Sequence, residues 1–214
     1  MNIAHFLPRG TIALIAVAIL LLTPLSRIVL AALFGRSIGQ AALARQPDTI
    51  HLKPAEATKL RQAGRLKNIV DEYQQRGFED AGLHAVPEMP GVYVQLMAHR
   101  AESMYAAIYD HPVAGVFYDV VNRYADGSVW TYTTARATGL KPRPNTRMVN
   151  LPGSEPTALI EAARRERPQA GLKSCATSTA VADFETAYAE YMAWIKQRGL
   201  TTGEVVDVAR RKVA

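Results

Sequence analysis

The chain has one cysteine, Cys175, among its 214 residues. A single thiol cannot close an intrachain disulfide or build a thiolate zinc cluster. No glycine-rich phosphate loop occurs, so nucleotide binding has no motif behind it. There is no internal repeat and no low-complexity tract, which excludes solenoid and linker-like architectures. No acidic residue falls between Asp126 and Glu155. Charge is scarce elsewhere too: residues 11–34 (TIALIAVAILLLTPLSRIVLAALF) carry only Arg27.

That apolar run is the strongest signal present. As a helix it would rise about 36 Å at ~1.5 Å per residue, against a bilayer core of about 30 Å. Fourteen of its residues are Ile, Leu, Val or Phe. Together they favour insertion by roughly 4–8 kcal/mol, against at most ~3 kcal/mol for Arg27. Arg27 is near enough to Phe34 to snorkel, and Pro24 kinks a membrane helix without ending it. The favoured reading is a single-pass anchor with membrane lipid as its partner. Two others compete with it. One is a cleaved signal peptide, weakened by an A-x-A site as distant as Ala42-Leu43-Ala44. The other is a helix lying on the surface with Arg27, Arg36 and Arg45 at headgroups. Flanking charge leans by about one residue toward a cytoplasmic domain.

The net charge of +6 divides into +3 over residues 1–50, −1 over 51–110 and +4 over 111–214. This modest spread gives no reason to expect nucleic acid as a partner. The organisation expected is a membrane anchor over 1–35, a linker over 36–52 and one α+β domain over 53–214.

Within that domain Pro54 suits a helix start, and Leu60, Leu66, Ile69, Val70 and Tyr73 mark a helical stripe over 54–76 closed by Gly77. Strands are expected at 91–98, 103–109 and 113–124, with a fourth returning after Asp126-Gly127 and a possible fifth at 82–86. Asp126-Gly127 signals a hairpin. A two-residue loop there would pair Arg123 with Trp130 and Val121 with Tyr132, putting all four on one face. Three prolines and two glycines argue against any regular element over 136–155. Helices follow at 156–167 and 180–198, the latter with Val181, Phe184, Tyr188, Tyr191 and Ile195 on one face. Thr201 and Glu204 form a capping box for a last helix. The fold class expected is an antiparallel meander of four or five strands packed on one face by three or four helices.

Candidate chemistry is sparse. Arg123, Trp130 and Tyr132 on an open sheet face would make a ligand or partner platform. Arg136, Lys141, Arg143 and Arg147 in the long loop could hold an anionic headgroup or an acidic protein partner. Against this stands a solvated loop whose charges only aid solubility. Cys175 lies before a helix start with Lys173 nearby, which could lower its pKa. Its catalytic use would need a histidine from the strand block, His84, His99 or His111. A buried or incidental cysteine is the favoured explanation, since nothing in the spacing links Cys175 to a histidine. His111 with Asp110 and Asp119 matches no metal-ligand spacing, and Asp110-His111-Pro112 is adequate turn chemistry.

The sequence therefore supports a membrane-anchored binding or accessory protein that uses no cofactor. The alternative is a membrane-tethered hydrolase or thiol enzyme built on Cys175. A structural subunit of a membrane complex is a third reading.

Overall fold

The computed structural model describes residues 24–211. Most of the 11–34 span expected as an anchor lies outside the described residues. No described helix is long and apolar enough to cross a membrane. The described residues form an α+β fold with five α-helices and one seven-stranded sheet. They divide into two compact units.

The sheet unit comprises Pro47–Ala137 and Pro142–Trp194. Its strands are β1 (Lys53–Pro54), β2 (Glu79–Ala85), β3 (Tyr93–His99), β4 (Met104–His111), β5 (Gly115–Arg123), β6 (Val129–Thr133) and β7 (Thr146–Asn150). They lie in sequence order, antiparallel throughout except that β7 is parallel to β6.

Four expectations about the strands need correction. The sheet has seven strands, six of them in an antiparallel meander, where four or five were expected. Pro54 sits in β1 and does not start a helix; an edge strand tolerates its missing N–H. The helix of that region, α2 (Ala63–Gln75), begins later. β7 falls inside the stretch read as irregular. Its parallel pairing explains the long loop before it, because the chain must return to the starting end of β6, which takes about a dozen residues.

The fourth correction concerns the β5–β6 hairpin. Asn122 pairs with Trp130, Val121 with Thr131 and Val120 with Tyr132. The loop holds three residues, 125–127, because Gly127 N–H donates to Tyr124 O and Tyr124 N–H donates to Ser128 O. Gly127 adopts φ +81°. A turn followed by a left-handed glycine is the usual three-residue hairpin. It moves the register by one residue, and a one-residue move exchanges the faces of β6.

Both sheet faces carry helices, not one. The first face buries Met97, Met104, Ile108, Val120 and Tyr132 against α2 and α3 (Pro156–Glu166). α2 ends as the sequence suggests. Gly77 N–H donates to Gln74 O and Phe78 N–H to Tyr73 O, with φ +89° at Gly77. This Schellman geometry brings the Phe78 and Tyr73 rings to 5.0 Å, edge to face. The second face buries Val94, Leu96 and Ala107 beneath Ile50, Leu52 and the start of α4 (Ala180–Arg198). Val181, Phe184 and Tyr188 pack there, but Tyr191, expected in the same buried stripe, is exposed.

The helical unit joins the N-terminal stretch through Gln46, Thr138–Lys141 and the chain from Ile195 onward. Its α1 (Pro24–Ala44) continues through residues 36–44, which the sequence marks as linker. Gly35 and Gly39 are packing positions on α1. A Cβ at Gly35 would lie 3.0 Å from Thr202 Cγ2, and one at Gly39 would lie 2.9 Å from Leu200 Cβ. Helix α5 (Thr202–Arg211) begins with the expected capping box. Glu204 N–H donates to Thr201 Oγ1, and Thr201 N–H donates to Glu204 Oε2. Glu204 is buried and also accepts from Arg198 and the Lys141 N–H. The Arg198 hydrogen bond leads in holding its carboxyl down at about 2.

Candidate functional site

The side chains that β4, β5 and β6 present to the second face alternate with those of the core. Tyr105 and Tyr109 come from β4, Asp119, Val121 and Arg123 from β5, and Val129 and Thr131 from β6. Nothing covers β5 and β6 on this side as fully as α4 and residues 50–52 cover β3. The alternate residues of β5 are accordingly only half-buried. Between this surface and α4 lies a groove of about 300 Å³ with a mainly apolar lining. Phe184, Ala187 and Tyr188 close it from the helix side.

Two acidic groups meet the groove and differ in state. Asp183, on α4, accepts from Tyr105 Oη at 2.7 Å and from Arg123 Nη1 at 2.6 Å. Lys173 Nζ lies 3.6 Å away. Burial pushes the Asp183 carboxyl up, but the Tyr105 hydroxyl and the charges of Arg123 and Lys173 hold it below the usual carboxylate range. Asp119 has no such cation. Its Oδ1 is buried with no hydrogen-bond partner. Desolvation raises its carboxyl to about 6, although the Thr133 and Tyr109 hydroxyls pull the other way. The Tyr109 ring stacks on Phe117 at 4.4 Å and lies 6.2 Å from Phe184, so the acid sits beside an aromatic wall.

Of the residues selected from the sequence for binding, Arg123 alone lines this groove, and Asp119, weighed there only as a metal ligand, lines it too. Tyr132 is fully buried on the opposite face, and Trp130 packs against the same core. Arg123 therefore does not stack on Trp130. The cation over that ring is Arg147, at 4.6 Å from its centroid. The predicted platform is overturned by the one-residue change of register.

The basic loop residues also separate. Arg143 pairs with Glu190 of α4 at 3.1 Å, whereas Arg147 reaches Glu166 of α3 at 3.7 Å. Arg136 and Lys141 are exposed, and Lys141 belongs to the helical unit.

Cys175 is buried at 4 % exposure, and its thiol donates to the carbonyls of Met104 and His99. Burial pushes it up to about 11, so it is a thiol at neutral pH. No imidazole nitrogen hydrogen-bonds it among the described residues. His111 Nδ1 accepts from the N–H groups of Val113 and Ala114 in the β4–β5 turn. Asp110 accepts from the Arg61 and Gln62 N–H groups at the start of α2. Among the described residues no group of three His, Cys, Asp or Glu is placed to hold a metal ion.

The sequence reading passed over Asp119, Tyr109 and Asp183 as a group. One signal was available for Asp119. It is the single acid among the alternate residues Phe117, Asp119, Val121 and Arg123, on a strand with an apolar second stripe. Tyr109 and Asp183 are brought to it only by the sheet register and the placement of α4.

No family model matches the chain, and no curated protein or solved structure matches it.

Proposed function

We propose that this chain is a membrane-associated binding protein whose ligand occupies the groove between the second sheet face and α4. The observation that carries the reading is a mainly apolar cavity holding one buried carboxylate oxygen without a partner. Binding sites for small molecules are of this kind: apolar walls, few polar groups and an acid with a displaced pKa. The reading is a binding role because none of the described residues lining the groove is a cysteine, serine or histidine. Membrane association is supported by the apolar run at 11–34 and by the exposed Leu33, Phe34 and Ile38 on α1.

2-Phenylethanol, titrated into the full chain in detergent micelles with empty micelles as reference, tests the groove. Saturable binding is expected. Ala187→Trp fills the cavity from α4 and should abolish it while leaving the far-ultraviolet circular dichroism unchanged. Binding that survives Ala187→Trp would remove the groove from the account.

A further inference from the structure

The groove's polar groups differ in what they leave unsatisfied, and that difference specifies a headgroup. We infer that the ligand is an amphiphilic amine whose protonated nitrogen pairs with Asp119 and whose apolar body lies along the aromatic wall of Tyr109 and Phe184. The inference rests on the groove being a small-molecule site and adds the class of molecule.

Three observations lead there. Asp119 Oδ1 is a buried acceptor with no donor, a cost that a ligand N–H relieves. Arg123 is the one cation lining the groove among the described residues, and it is already committed to the carboxylate and carbonyl of Asp183. An anionic headgroup would find no unpaired cation there and would meet a second carboxylate. The wall beside Asp119 is aromatic: Tyr109 and Phe184 line the groove, and aromatic rings attract ammonium groups. A carboxyl titrating near 6 is ionised at neutral pH, so the charge is available. Size sets a further limit. A cavity of about 150 Å³ holds benzene, so the roughly doubled volume here takes a ligand of about a dozen heavy atoms.

Calorimetric titration of the full chain in micelles at pH 7.5 compares 2-phenylethylamine, 2-phenylethanol and phenylacetate. The amine should bind about tenfold or more tighter than the alcohol, as a hydrogen bond to a charged group implies, and phenylacetate should bind weakest. Asp119→Asn should bring the amine to the level of the alcohol and leave the alcohol within about twofold, since only the neutral contact remains. Val121→Arg sets a competing cation on the same face of β5 and predicts the same loss, should the first variant fold poorly. Equal affinity for amine and alcohol, or preference for phenylacetate, would overturn the headgroup assignment while leaving the groove as a site. Failure of all three compounds to bind would overturn both.

Discussion

Asp119 couples the candidate site to stability. Its carboxyl titrates near 6 in the folded chain against an ordinary 3.8, so the folded state keeps the proton to higher pH. The sign follows: this group's contribution is most favourable below about pH 4 and is lost as pH rises through 6. Asp119→Asn should therefore stabilise the chain at pH 7.5 by up to about 3 kcal/mol, at 1.36 kcal/mol per unit, and leave pH 4 nearly unchanged. Urea denaturation at the two pH values checks this, and a gain independent of pH would contradict it. A site that keeps a destabilising ionised acid resembles other functional sites, where stability yields to binding. Tyr132 gives a second test at this scale. Its hydroxyl is buried without a partner among the described residues. Tyr132→Phe should be neutral or stabilising within about 1 kcal/mol, because it removes an unsatisfied polar group. Tyr132→Ala should cost about 3–5 kcal/mol, as for other large core aromatics. A harmless Tyr132→Ala would instead favour the register in which Tyr132 faces solvent.

Among the elements, the β5–β6 hairpin decides most. Deleting Ala125 leaves Asp126-Gly127 as a two-residue loop between Tyr124 and Ser128, so the observed pairing and the burial of Tyr132 are kept. A cooperative urea transition is therefore expected. Its loss would show that the third loop residue is needed to hold the register. Glycines in the helices divide by what surrounds them. In α2, nothing lies within 4 Å of a Cβ at Gly64. Gly64→Ala should therefore raise stability by about 0.5–1 kcal/mol through reduced backbone freedom in the unfolded chain. In α1, Gly39 faces Leu200 Cβ at 2.9 Å and Val205 Cγ2 at 3.1 Å from its would-be Cβ. Gly39→Val should cost about 1–3 kcal/mol by overpacking and expose α1 to limited proteolysis. The two variants, measured in one urea series, should move the midpoint in opposite directions.

For the whole molecule, the proposal ties a binding domain to a membrane, which raises its effective concentration there. If residues 11–34 remain attached, the full-length mass should be recovered in the membrane fraction after a carbonate wash. Replacing Arg136, Lys141, Arg143 and Arg147 together by glutamine should leave that retention unchanged. Arg143 and Arg147 are held by acids of different helices, Glu190 and Glu166, so the loop presents no single basic patch. Recovery of a shorter chain in the aqueous fraction would end the membrane part of the proposal and leave the groove to stand on its own test.

Much of the fold was legible in local patterns. The apolar stripe of α2, its closure at Gly77 and Phe78, the capping box of α5 and the strands from β3 to β5 depend on residues within a turn or two of each other. Composition and helical period suffice for those. The length of the Ala125–Gly127 loop was not legible, because Asp126-Gly127 suits both a two- and a three-residue hairpin. Nor was β7, a short strand defined by a parallel partner that the chain reaches only after a crossover. The candidate site depended on both. Alternation along β5 placed Arg123 and Asp119 on one face, which the sequence alone contained. Pairing with β4 and β6, and the laying of α4 across them, decided that this face, not the one bearing Trp130 and Tyr132, stays partly open. Side-chain period is a property of the strand, but which side meets a helix is settled by register and packing over residues far apart in the chain.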